Sequence, residues 1–186
     1  MSARRNIITA VFLLFTVAAK AQHLPYTNQT DAGVLVGPAS TASFTAQTFN
    51  GVRISKWKLE AGITTGVDIY PQMTILPISL GFKWNPFDND ISPFVSLNAG
   101  YGFGWLQAKR GDAKYDGGYI LNPSLGIRIK TKNTAKVNLG IGFRQQKAVI
   151  RQRPEYYTFD YFGGGPPQIK EEYKFRRISV ILGMSF

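Results

Sequence analysis

The sequence predicts an all-β chain: an eight-stranded, antiparallel, up-and-down β-barrel of the transmembrane kind. Three observations carry that expectation. Large apolar residues recur at every second position in segment after segment, the period of a strand with one greasy face. The positions between them hold glycine, serine and asparagine, with few of the lysines and glutamates that a water-facing strand would carry. The segments number eight, an even count and the smallest known for a single-chain bacterial membrane barrel.

The chain opens with MSARRNIITAVFLLFTVAAKAQ. Arg4 and Arg5 precede an apolar run from Ile7 to Ala19, and Ala19-Lys20-Ala21 supplies small residues around a cut. This reads as a secretory signal peptide over residues 1–21, cleaved after Ala21, with one β-barrel domain over residues 22–186. The uncharged run is short for a membrane helix, which needs about 20 apolar residues. Losing Arg4, Arg5 and Lys20 lowers the formal charge from +11 to +8. A basic exported chain has anionic lipid headgroups as its partner, not nucleic acid. There is no cysteine, hence no disulfide and no lipid-bearing cysteine behind the signal.

Gln22 to Asp31 is polar and reads as a short leader. The first strand is expected over Ala32–Gly37, with a turn at Pro38–Thr41. The second, Ala42–Ile54, sets Phe44, Ala46, Val52 and Ile54 against Gln47, Gly51 and Arg53, with Phe49 among the latter; Ser55-Lys56 turns the chain. In the third, Leu59, Ala61, Ile63, Val67 and Ile69 oppose Glu60, Gly62, Thr64, Gly66 and Asp68. After Tyr70-Pro71-Gln72, the fourth sets Ile78, Leu80, Phe82 and Trp84 against Ser79, Gly81 and Lys83. Asn85–Asp90 is a turn rich in Asn, Asp and Pro. The fifth alternates most cleanly: Val95, Leu97, Ala99, Tyr101, Phe103 and Trp105 against Ser96, Asn98, Gly100, Gly102 and Gly104.

Gln107–Gly118 reads as a charged loop. The sixth strand places Leu121, Leu125, Ile127 and Ile129 opposite Asn122, Ser124, Gly126, Arg128 and Lys130, and Thr131–Thr134 is a short turn. The seventh sets Val137, Leu139, Ile141 and Phe143 against Asn138, Gly140, Gly142 and Arg144. Gln145–Glu172 reads as a long connection to the last strand, where Ile178, Val180, Leu182, Met184 and Phe186 share a face.

The small-residue face decides which kind of barrel this is. Glycine weakens an exposed strand, whereas an eight-stranded interior has room only for limited side-chain volume. The glycines therefore point inward and the apolar residues outward, toward lipid. Aromatics near strand ends fit the girdles of a membrane barrel. With Phe186 on the periplasmic side, the connections that must be periplasmic are the short ones. The long connections, 106–118 and 145–172, then fall outside. A soluble lipocalin-like binder is the alternative from another class, and it would need the apolar face covered.

FTAQTFNGVRISKW at 44–57, PISLGFKWNPF at 77–87, SPFVSLNAGYGFGW at 92–105 and NPSLGIRIK at 122–130 carry a likeness. In these segments the chain resembles the small OmpX/OmpA-type outer-membrane β-barrel family, over nearly all of residues 22–186. The resemblance implies a bacterial outer-membrane location, and a last strand (Val180, Leu182, Met184, Phe186) that the outer-membrane assembly machinery reads. It implies outer-membrane lipid and lipopolysaccharide as neighbours. It says little about activity, because such barrels serve as structural proteins and adhesins alike.

Chemistry has few places to reside. The sole histidine, His23, lies outside every predicted strand, so a serine–histidine site of the kind that modifies lipid A is hard to build. No catalytic residue, metal site or cofactor is expected, and the chain reads as a non-enzyme. The charged positions on the small-residue face are Arg53, Glu60, Asp68, Lys83, Arg128, Arg144 and Arg177. They could line a basic pore for ions or small solutes, or satisfy one another as a salt-bridged plug; the narrow bore favours the plug. Arg151 and Arg153 beside Tyr156, Tyr157, Phe159, Tyr161 and Phe162 form a second constellation. They could bind an extracellular protein or glycan, or belong to an extended hairpin of the last two strands. The expected role is structural or interactive, presenting the two outer loops.

Overall fold

Backbone donors and acceptors along a strand edge must find partners, and in lipid they can find them only in a closed sheet. The computed structural model describes residues 24–38, 41–104, 114–131, 135–152 and 169–186. They contain β1 (Tyr26–Val36), β2 (Ala42–Ile54), β3 (Leu59–Ile69), β4 (Thr74–Trp84), β5 (Ile91–Phe103), β6 (Lys114–Asp116), β7 (Gly118–Lys130), β8 (Lys136–Gln152) and β9 (Ile169–Ser185). Apart from β6, which is passed over so that β5 pairs with β7, consecutive strands pair antiparallel, and β9 returns to β1 through Ala32↔Leu182 and Val34↔Val180. Lys114–Asp116 pairs with β8 just beyond the reach of β7. With Gly117 between them, β6 and β7 make one stave, and the barrel closes on eight.

The two faces are inverted relative to a water-soluble domain. Phe44, Leu80, Leu125 and Leu182 on the outside are 60–61% exposed, while Asp68 and Arg144 inside are 0–1% exposed. On β9 the outward apolar set runs from Ile178 to Phe186, nine residues, and a tilted strand needs about 9–11 to cross a bilayer. The glycines expected inside do lie there, and two show why the positions stay bare. A Cβ on Gly126 would strike the Leu139 carbonyl and come within 2.7 Å of the Phe94 ring. A Cβ on Gly183 would overlap the Asp31 carboxylate. The interior glycines make room for the few large side chains that cross the bore.

Several boundaries differ from expectation, each for a physical reason. β1 begins at Tyr26, not Ala32, so most of the expected leader is strand. Thr27, Gln29 and Asp31 point inward, and their outward neighbours are polar too, which hid the alternation. β5 begins at Ile91 and ends at Phe103. Part of the expected loop 106–118 is strand, since Lys114–Asp116 pairs with β8 and Gly118 opens β7; three residues are too few to display a period. The connection expected over 145–172 is shorter as well. β8 and β9 stay in register out to Gln152↔Ile169, so residues 145–152 and 169–172 form an extended hairpin. There Ala148 and Ile150 are buried but Val149 between them is covered too, which broke the pattern. The expected signal peptide, His23, Trp105 and most of the expected loop 106–118 lie outside the described residues.

At the Phe186 end, the β2–β3 connection is a single 3-10 turn, Ser55–Trp57, closed by Lys58 at φ 53°. Lys58 holds this left-handed conformation, costly for a residue with a Cβ, while its Nζ donates to the Pro86 carbonyl at 3.0 Å and pairs with Asp88 at 3.2 Å. That contact ties the β2–β3 turn to the β4–β5 turn.

Candidate functional site

The inward face stacks four layers along the barrel axis. Nearest the Phe186 end, Arg128 on β7 reaches across to Glu60 on β3. Its two terminal nitrogens donate to the two carboxylate oxygens at 2.7 and 3.0 Å, and its Nε donates to Asn138 Oδ1 at 2.9 Å. Asn138 passes the network on to Ser185 Oγ at 3.1 Å. A fork-on-fork guanidinium–carboxylate pair is the strongest form of ion pair, and here three of the five guanidinium N–H donors are used.

The second layer holds Lys83, 6% exposed. Its ammonium donates to Gln29 Oε1 and sits 5.5 and 5.3 Å from the ring centres of Phe49 and Phe94. Gln29 in turn donates to Asp31 at 2.6 Å, so the lysine meets its carboxylate through an amide. In the third layer, Arg144 on β8 pairs with Asp68 on β3 and donates to Thr45 Oγ1 at 3.1 Å and Gln47 Oε1 at 2.8 Å.

The fourth layer, at the hairpin end, is apolar. Leu35, Met73, Ile75, Ala148, Ile150 and Phe175 pack there around Tyr70. The Tyr70 ring stacks on Phe175 at 4.1 Å, and its hydroxyl donates to Gln146 at 3.0 Å. Arg177 lies 5.8 Å from the Tyr70 ring centre and donates to the Thr41 carbonyl at 2.6 Å.

Between the two ion-pair layers remains a cavity of about 20 Å³, bordered by Gln29, Phe49, Lys83, Phe94, Ser96 and Ser124. That is room for about one water. A second space of about 20 Å³ opens at the Phe186 end beside Arg53, Lys130 and Lys136.

Of the seven charged residues singled out by sequence, six point into the bore, but only four meet as direct pairs: Glu60 with Arg128 and Asp68 with Arg144. Lys83 is joined to Asp31 through Gln29, and Arg177 is held by Thr41. Arg53 departs from expectation. It sits at the mouth, partly exposed, and pairs with Asp88 of the β4–β5 turn at 2.9 Å. The turn brings Asp88 nearer than Glu60, a proximity no strand alternation could disclose. Gln29, Asp31, Thr45 and Tyr70 were missed, while Gln47 and Asn138, placed inward by the sequence, were not joined to the charges they bind. For Gln29 and Asp31 a signal existed, because both share the parity of Gly33 one strand-step on. Of the outer constellation, Arg151 lies on β8 and pairs with Asp116 at 2.8 Å. Arg153, Tyr156, Tyr157, Phe159, Tyr161 and Phe162 lie outside the described residues. Val180, Leu182 and Met184 stand on the outer face of β9, and Phe186, one residue past its end, is exposed.

No protein-family model matches the sequence, and no curated protein matches it. Solved structures do. The outer membrane protein OprG from Pseudomonas aeruginosa superposes with a TM-score of 0.65 at 9% identity, covering 87% of this chain and 95% of that one. The outer membrane protein AlkL, solved in DMPC lipid bilayers, superposes with a TM-score of 0.54 at 10% identity, covering 88% and 89%. At such identities the likeness is one of fold: this chain is a closed eight-stranded barrel with the architecture of small outer-membrane proteins.

Proposed function

We propose that the chain is an integral barrel of the bacterial outer membrane, sealed to solutes, whose work is done by what it presents outside. Export would be followed by cleavage after Ala21, and the Phe186 end would face the periplasm, with the β8–β9 hairpin projecting outward. The observation that carries this reading is the filled bore. Glu60–Arg128 and Asp68–Arg144 cross it at two heights, Tyr70 and Phe175 close it above, and the space between holds about one water. A basic-lined pore needs cations facing open water, whereas here the cations face carboxylates, amides and rings. The outward apolar run, long enough on β9 for a bilayer, supports the membrane location. A role without catalysis is part of the proposal.

Solute flux tests it. Liposomes carrying the refolded barrel should swell no faster than empty ones in small sugars and amino acids. Swelling that scales with barrel content would sink the sealed reading.

A further inference from the structure

Above the apolar belt, the outer face of the β8–β9 hairpin is an unusual surface. The last apolar cross-strand pair is Phe143↔Ile178; next outward come Gln145↔Arg176, Lys147↔Lys174, Val149↔Glu172 and Arg151↔Lys170. Two of these pairs set like charges directly opposite, an arrangement that destabilises a sheet. Five cations share two carboxylates. Glu172 serves both Lys147, at 2.9 Å, and Lys174, at 3.6 Å, while Asp116 serves Arg151 at 2.8 Å. Lys170 and Arg176 are exposed, and no carboxylate among the described residues lies in ion-pair range of either. The face carries an excess of positive charge, and that excess favours an anion from outside.

Height identifies the anion. On a strand tilted about 40°, Arg176 stands about 5 Å and Lys147 and Lys174 about 10 Å beyond the last apolar pair. The headgroup region beyond the hydrocarbon is about 5–8 Å deep, and lysine and arginine stems reach back toward it. Tyr119, paired with Tyr101 and accepting a hydrogen bond from Gln145 at 2.7 Å, stands beside this patch at the level where interfacial aromatics gather. Resting on the outer-membrane reading above, we infer that Lys147, Lys174 and Arg176 form a docking surface for the phosphomonoester headgroup of an outer-leaflet glycolipid. Each phosphate would sit between facing cations of β8 and β9, relieving their mutual repulsion.

The test uses the refolded barrel in phosphatidylcholine bilayers with added diphosphorylated lipid A, with dephosphorylated lipid A, or with inorganic phosphate alone. Thermal midpoints are compared for the native sequence, for Lys147→Gln/Lys174→Gln/Arg176→Gln, and for Lys56→Gln/Lys130→Gln/Lys136→Gln at the opposite end. The expected result is a higher midpoint with diphosphorylated lipid A only, abolished in the hairpin variant and kept in the opposite-end variant. Equal gains from dephosphorylated lipid, equal gains from inorganic phosphate, or equal losses in both variants would each overturn the inference. If the triple variant does not fold, Lys174→Gln alone carries the comparison. A barrel that enters bilayers of no composition would instead defeat the membrane reading on which the inference rests.

Discussion

At the scale of single residues, the account rests on charges that are buried but paired. Asp68 and Arg144 are almost wholly removed from solvent, and each is the other's counter-ion. Removing one partner strands a charge in a low-dielectric interior, which costs about 3–5 kcal/mol in comparable buried pairs. Arg144→Met alone should therefore lower the unfolding free energy by about that much. Arg144→Met with Asp68→Leu should recover part of the loss, because two apolar side chains of similar size leave no buried charge unpaired, although Thr45 and Gln47 lose a donor. Urea titration of the bilayer-inserted barrel would compare them. Additive losses would mean that the pair is not coupled.

Asp88 gives a pH-dependent case at the rim on the Phe186 side. The hydrogen bond from Lys58, then the charges of Lys58 and Arg53, hold its carboxyl below the ordinary carboxylate range. A lowered folded value means the unfolded chain binds more protons in that window, so stability rises with pH across it. The contribution is complete above the unfolded value of about 3.9 and is lost as pH falls through the folded one. Asp88→Asn should lower the thermal midpoint slightly at neutral pH and not at all in strong acid. High salt should shrink the neutral-pH difference, since the pair is exposed. A difference that persists in strong acid would mean that the ion pairs are not its source.

At the scale of elements, much was legible because alternation is a one-dimensional signal. The inward and outward sets of β3, β4, β7 and the last turns of β9 can be read from period two alone, and the structure places them so. What escaped lies where both faces share a character. At Tyr26–Thr30 both are polar, and at Ala148–Ile150 the outer face is covered as well. Register escaped entirely. Nothing local says that Gly62 meets Gly81 or that Arg144 crosses the bore to Asp68, because those distances are set by how eight strands tilt and close.

Glycine placement gives a test at this scale. Gly126→Ala forces a Cβ against the Leu139 backbone carbonyl, which cannot step aside; Gly140→Ala meets Ile181 side-chain carbons at 3.1 and 3.3 Å, which can. The first should cost about 1–3 kcal/mol and the second clearly less, by urea midpoint. Equal costs would mean that the bore is not packed as described.

At the scale of the whole molecule, the fold combines a polar, cross-braced interior with an apolar wall and a hairpin that outruns the wall on one side. Lipid on the wall predicts that Leu182→Arg, midway along the apolar run of β9, weakens folding into bilayers by about 2–4 kcal/mol. Lys174→Leu, beyond the belt, should have no comparable effect. A soluble barrel with a covered wall would not show this dependence on depth.

The central claim is that the bore is closed. Ion conductance of the refolded barrel in a planar bilayer tests it most directly, with Glu60→Gln and Arg128→Gln beside the native sequence. The account predicts a silent bilayer for the native chain, with the two variants less heat-stable. Steady conductance from the native chain, with a selectivity that shifts when Glu60 or Arg128 is neutralised, would contradict it and make the paired charges the lining of a channel.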